Sequence, residues 1–360
     1  MQDYIAFLKY CLDESLPLPE NTKNIDWKGM QTWAEQQAIV GIIFSGIEKA
    51  EGLISISREE LFQWIGYVQR IEQQNRLVNK RCVELVKEFQ NAGFDCSILK
   101  GQGNAMLYQA PLRRSPGDID LLVIDKRNTV TQYVKDRYPH TRTAYQHIDY
   151  PVFNDVPVEI HYLPIYVNNP FYNLRLQRWF KNKGDKGCMV VNIPGDAGSI
   201  SVPSNKFNVI YQLTHLMHHF FDEGIGLRQM IDYYYVLKKF RDESLEFIDS
   251  AKSIELEETL KYLGLWKFAG AVMYVMREVF GLEENYMIAP VDEKRGMTLM
   301  NEILKGGNFG KYSGLTQHST GGKYFLKHWR NLHFVKEYPS EALSEPIFRT
   351  WHFFWRLVHR

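Results

Sequence analysis

Cysteine is scarce in this chain: four in 360 residues, Cys11, Cys82, Cys96 and Cys188, with no C-x-x-C pair among them. Such spacing argues against a zinc site or a disulfide framework and reads as reduced, partly buried thiols. An excess of one charge sign is lacking too. The formal net charge is +1, from 43 Lys+Arg against 42 Asp+Glu. Bulk electrostatics therefore draws the chain neither to nucleic acid nor to an anionic membrane, although a local basic groove remains compatible. No run approaches the ~18 consecutive apolar residues of a membrane helix. The opening, Met1-Gln2-Asp3-Tyr4-Ile5, has no basic stretch followed by an apolar core, so no signal peptide and a cytoplasmic location are expected. Internal repeats and low-complexity linkers are also missing.

What is present is ordinary globular composition, 45% hydrophobic and 24% charged, in a chain long enough for two or three domains. Residues 1–92 read as a helical N-terminal region. Leu16-Pro17-Leu18-Pro19 breaks its first helix, and the stretch from Arg58 to Ala92 is a long amphipathic helix. Ala92-Gly93 ends it. Residues 93–205 carry the β signals: strands at Phe94–Leu99 and Asp118–Ile124, then a hairpin from Ala144–Phe153 through Asn154-Asp155 to Val156–Leu163. A further hairpin is expected from Met189–Ile193 and Ser199–Val202. Residues 206–360 read as a helical C-terminal domain, opened near a Ser204 cap and interrupted near residues 222–226. Gly306–Gly322 reads as a loop. The aromatic, basic tail, with Trp329, Trp351, Phe353, Phe354 and Trp355, suits a membrane-surface or protein-partner helix, or equally one packed on the body.

The chemistry gathers around Ile98-Leu99-Lys100-Gly101-Gln102-Gly103 and Pro116-Gly117-Asp118-Ile119-Asp120-Leu121. Asp118 and Asp120 are two apart at the start of a strand, so their side chains leave one face with Cα atoms ~6.5 Å apart. Carboxylates so placed suit a hard cation such as Mg²⁺ carrying substrate phosphates. Gly101, at a strand end, lets the backbone approach a phosphate. Glu159 alternates with apolar Val158 and Ile160, and His161 shares its face. Taken alone, Asp-x-Asp after Pro-Gly is also simple turn chemistry. His215, His218 and His219 have a spacing that could hold a metal, but helix packing is the plainer reading without a supporting carboxylate. Arg228 and Asp232 could pair along a helix.

In order and spacing these segments resemble the DNA polymerase β-like nucleotidyltransferase superfamily, and within it the bacterial uncharacterised nucleotidyltransferase family. The likeness rests on Ile98-Leu99-Lys100-Gly101, Leu107-Tyr108, Arg113 or Arg114, Gly117-Asp118-Ile119-Asp120-Leu121-Leu122-Val123, Val156-Pro157-Val158-Glu159-Ile160-His161-Tyr162 and the helix around Leu227-Arg228-Gln229-Met230-Ile231-Asp232. It implies an α/β (α+β) nucleotidyltransferase-like mixed sheet flanked by helical regions. It also implies transfer of an NMP from an NTP to an acceptor hydroxyl, assisted by two Mg²⁺ ions, with Mn²⁺ as an alternative. By the resemblance, Asp118, Asp120 and Glu159 are the catalytic and metal-holding residues. Lys100, Gly101, Gln102, Arg114 and Arg228 are the nucleotide-binding ones. The chain departs from the pattern at Gln102, where the superfamily usually has serine. The other reading is a catalytically silent nucleotide-binding scaffold or antitoxin-like interaction protein of the same fold. The acceptor is not specified, and a protein partner is compatible with the aromatic tail.

Overall fold

The structure, a computed structural model, describes residues 1–182, 188–195, 197–245, 250–308, 331 and 333–358. Three helices, α1 (Gln2–Leu12), α2 (Trp27–Gln37) and α3 (Val40–Lys49), precede α4 (Arg58–Asn91), of 34 residues. The start of α4 is defined by a capping box: the Ser57 hydroxyl accepts the Glu60 amide, and the Glu60 carboxylate accepts the Ser57 amide at 3.0 Å. Its end is equally local. Gly93 adopts φ 87°, which lets Phe94 N–H reach back to the Phe89 carbonyl at 3.0 Å. Between these caps the buried residues recur at helical spacing, Trp64 and Val68 early, Val78, Cys82, Leu85, Val86 and Phe89 late.

The central sheet is four-stranded and mixed, in the order β1 (Cys96–Ile98), β2 (Ile119–Val123), β4 (Val158–His161), β3 (His147–Asp149). The pairings are antiparallel, parallel and antiparallel along that order. The parallel partners β2 and β4 need a crossover, which contains α6 (Arg127–Arg137) and β3. The α5 turn (Gln102–Ala105) lies between β1 and β2. The hairpin of β3 and β4 is present with shorter arms than the sequence suggested, and Asp118 lies one residue before β2 rather than in it. A second, two-stranded antiparallel sheet, β5 (Cys188–Ile193) and β6 (Gly198–Pro203), matches the expected downstream hairpin.

Helices follow: α7 (Pro170–Asn182) between the sheets, then α8 (Asn205–Asp222), α9 (Leu227–Leu245), α10 (Ser250–Tyr262), α11 (Trp266–Phe280), α12 (Glu293–Gly306) and α13 (Pro339–Val358). Ser204 caps α8 through the Phe207 amide, as the sequence led us to expect. The architecture is therefore helix-dominated α+β, with a small mixed sheet between helical flanks. One apolar face of that sheet, with Ile119, Leu121, Ile148 and Ile160, packs on the late half of α4, on Val130 and Val134 of α6 and on the β5–β6 hairpin. The early half of α4 joins a larger core built by the remaining helices, which also takes in Leu99, Tyr108 and Leu122.

The aromatic tail, where it is described, is a helix docked on the body. Tyr145 meets the rings of Phe348, Trp351 and Trp355 edge-on. Arg349 pairs with Asp222 at 2.8 Å, and buried Glu341 accepts the Asn168 amide at 2.9 Å. Trp329 and most of the expected glycine-rich loop lie outside the described residues. Among the described residues no helix is long and apolar enough to cross a membrane. Of the cysteines, Cys11, Cys82 and Cys96 are buried and Cys188 is exposed.

Candidate active site

The register of three strands composes the site. Asp120 on β2 stands beside Glu159 on β4, which stands beside Asp149 on β3; the adjoining row is Leu122, His161 and His147. Paired residues on neighbouring strands leave the same face, so this polar face lies opposite the apolar one. Asp118 reaches it from the turn before β2. One carboxylate oxygen from each of Asp118, Asp120 and Glu159 lies within 4.8 Å of the others. His147, Glu159 and His161 form a second such group that shares Glu159.

Asp120 is 2% exposed, and an ionised carboxylate so deep requires compensation. Lys100 Nζ lies 3.1 Å from its Oδ2, and His161 Nε2 lies 3.0 Å from its Oδ1. Burial works against the charged form of Asp120, but Lys100 and His161 outweigh it and hold the carboxyl below its ordinary range. Burial likewise works against a charged Lys100, yet Asp120 and Asp118 keep its pKa above the ordinary lysine value. His161 is pulled down by burial and up by its bonds to Asp120 and Glu159, ending at about 9. Burial pushes His147 down to about 4, against a smaller opposing pull from Glu159. Glu159 is raised by burial but lowered more by His161 and His147, for a net downward shift.

These groups open into a cleft of about 450 Å³. Its wall is contributed by helices far apart in sequence: Tyr211, His215 and His218 from α8, and His352 from α13. His215 Nε2 lies 3.5 Å from Lys100 Nζ and 3.1 Å from His219 Nε2. Burial, then His219 and Lys100, hold its pKa well below the usual imidazole value, which keeps it neutral. Among the described residues the α8 histidines do not form a three-ligand metal group.

The expected nucleotide-binding residues are divided by the structure. Lys100 lines the cleft beside Asp118 and Asp120. Gly101 adopts φ 57° and ψ −111°, a conformation only glycine takes without strain. A Cβ there would meet only the Asp118 carbonyl, at 3.7 Å, so backbone conformation rather than crowding requires the glycine. Gln102 is 3% exposed and turned toward α4, where its amide donates to Asn75 at 3.3 Å and to Asn79. Asn75 in turn donates to the Leu112 and Arg114 carbonyls at 2.6 and 2.7 Å. The departure at Gln102 is thus a structural tie between α4, α5 and the loop before β2. Arg114 is likewise occupied: its guanidinium grips Asp232 of α9 twice, at 2.7 Å each, while Tyr108 donates to the same carboxylate at 2.6 Å. Arg228 donates to the Ser115 carbonyl at 3.1 Å and lines a recess of about 20 Å³ next to Asp118. That recess has room for about one water molecule, so of the two spaces beside Asp118 it is the larger cleft that has room for a triphosphate.

His147 and His352 were not singled out by sequence reasoning for this face. The i, i+2 spacing of His147 and Asp149 was the available signal, but it acquires meaning only with the β3–β4 register.

The model of the uncharacterised nucleotidyltransferase family matches residues 23–269 of this chain. A solved structure, that of an antigenic nucleotidyltransferase-like protein from Paracoccidioides brasiliensis, is similar at a TM-score of 0.31 and 13% identity, over 51% of this chain and 92% of that one. An overlap so loose does not bear on the site. No curated protein matches the chain.

Proposed function

We propose that this chain, which belongs to the uncharacterised nucleotidyltransferase family, transfers a nucleoside monophosphate from an NTP to an acceptor hydroxyl and releases pyrophosphate. The supporting observation is the convergence of Asp118, Asp120 and Glu159 within 4.8 Å, beside a cleft of about 450 Å³. That volume falls within the usual ~300–1,000 Å³ of small-molecule sites. An all-oxygen donor set fits Mg²⁺, or Mn²⁺ in its place. Asp118, Asp120 and Glu159 would hold a pair of such ions, whose chemistry is to stabilise the attacking and leaving oxygens of an in-line displacement.

The chain's own residues supply the rest. Asp120 is fixed from both sides by Lys100 and His161, so its orientation needs no reorganisation when substrate arrives. Lys100, partly exposed in the cleft, meets phosphate charge. Gly101 forms the turn that brings Lys100 to Asp120. Glu159, more exposed than Asp120, faces the side where an acceptor enters. Gln102 and Arg114 hold the loop that delivers Asp118 and do not touch the nucleotide.

One observation favours a second reading. Both oxygens of Asp120 are already engaged by cationic or hydrogen-bonding groups of the protein, as in a nucleotide-binding scaffold without turnover. Incubation of the full chain with each α-³²P NTP and Mg²⁺ or Mn²⁺, alone and with antibiotic, sugar, protein and RNA acceptors, separates the two. Label on the chain or on an acceptor supports transfer. Mg²⁺-dependent thermal stabilisation by ATP without label on any of them supports the scaffold.

A further inference from the structure

Two imidazole nitrogens converge on one carboxylate oxygen. His147 Nδ1 lies 3.2 Å and His161 Nε2 3.3 Å from Glu159 Oε2. His147 Nδ1 is buried and makes no hydrogen bond. A divalent ion with ~2.0–2.1 Å bonds to nitrogen and oxygen separates adjacent ligand atoms by about 3.0–3.4 Å, which is the spacing of both pairs.

The distal nitrogens are arranged to match. His161 Nδ1 lies 3.3 Å from the Leu163 carbonyl, which can only accept, so this nitrogen carries a proton. His147 Nε2 faces Asp149 Oδ1 at 3.7 Å, too far for a hydrogen bond but close enough for the carboxylate charge to favour a proton on that nitrogen. A histidine that donates its far N–H to a carbonyl or carboxylate presents a lone pair on its near nitrogen, which is the usual support behind a metal-binding imidazole. Here both near nitrogens reach Glu159, and that of His161 also lies 3.0 Å from Asp120 Oδ1.

We propose that His147, Glu159 and His161 form a binding site for a divalent transition-metal ion of the Zn²⁺ or Mn²⁺ type, next to the Asp118–Asp120 pair and sharing Glu159 with it. Two imidazoles and one carboxylate favour such an ion over Mg²⁺, which prefers oxygen donors. The ion takes the place of the proton that His161 otherwise shares with Asp120 and Glu159. The inference rests on Glu159 and His161, both also used in the proposed transfer site, but does not need transfer to occur.

The test is calorimetric titration of Zn²⁺ into the full chain, stripped with chelator and held in excess Mg²⁺, with Co²⁺ absorption as a second readout. The expected result is one Zn²⁺ per chain that Mg²⁺ does not displace. His147→Ala should abolish it, and Asp149→Asn, a milder change that removes only the supporting charge, should weaken it about 10-fold. Asp118→Asn should leave Zn²⁺ affinity within about 3-fold of the parent. Melting curves confirm that each variant is folded; if His147→Ala is not, Asp149→Asn decides. Zn²⁺ binding that is missing, or equal in the parent and the histidine-side variants, or lost in Asp118→Asn, overturns the proposal. Zn²⁺ bound as expected with no label transfer from any NTP would instead leave this site standing and remove the transferase reading.

Discussion

Removing Asp232 should unfold the chain more readily than it disturbs nucleotide recognition. The Arg114 and Asp232 side chains are 4% and 6% exposed and are joined by two bonds of 2.7 Å. Asp232→Ala leaves the guanidinium buried beside Arg228, whose charge already acts unfavourably on it. Breaking one side of a buried pair costs about 3–5 kcal/mol. For a chain of 360 residues, at ~2.1 cal/mol/K of unfolding entropy per residue, each kcal/mol is worth roughly 1.3 °C, so the melting temperature should fall by about 5 °C. Arg114→Met should act in the same direction, because it leaves Asp232 buried with the Tyr108 hydroxyl and only the more distant charge of Arg228. The double variant Arg114→Met/Asp232→Leu should recover most of the loss, since neither charge is then stranded. Thermal melts of the four proteins supply the cycle, and Mg²⁺-ATP titrations at a temperature where all are folded supply the contrast. If Arg114→Met melts with the parent but binds ATP far more weakly, Arg114 is a nucleotide ligand and the clamp has been misread.

Two other perturbations follow from local geometry. Gly101→Ala should destabilise by about 1–2 kcal/mol through the positive φ alone, seen in urea midpoints; an unchanged midpoint would mean that the turn relaxes freely. Burial pushes the Glu341 carboxyl from 4.5 up to about 7, against the lowering effect of the Asn168 and Asn169 amides. An acid raised on folding binds more protons in the native state, so this group's contribution is complete below 4.5 and is lost as pH rises through about 7. Its size is on the order of 3 kcal/mol. Glu341→Gln should flatten the fall in stability over that window, and an unaltered pH profile would show that the carboxylate is accommodated where α13 docks.

Much of this was legible because it is local. The stop at Gly93 and the repeat from Trp64 to Phe89 lie within a few residues of the structure they cause. The i, i+2 spacing of Asp118 and Asp120 needs only a strand start. What stayed hidden depends on distant partners. The rung Asp120–Glu159–Asp149 requires the β2–β4 and β4–β3 registers, and a slip of one residue would turn His161 and Glu159 to the apolar side. Gln102 looked like a phosphate donor until Asn75 and Asn79 were found across from it. Arg114 looked available until α9 supplied Asp232. The tail read as a membrane-surface or partner helix, or equally as one packed on the body, because its pattern shows an apolar face but not what lies under it; Tyr145 and His218 through Tyr166 lie there.

The most direct test is pyrophosphate release in a single turnover, once the labelling screen has named the NTP and acceptor. With Mg²⁺, the parent should release one pyrophosphate per nucleotide transferred. Glu159→Gln should still bind Mg²⁺-NTP through the aspartates yet slow release by about 10²–10³-fold, and Asp118→Asn should lose both binding and release. Parent-like release by Glu159→Gln and Asp118→Asn would show that the carboxylate cluster on β2 and β4 is not where the chemistry occurs.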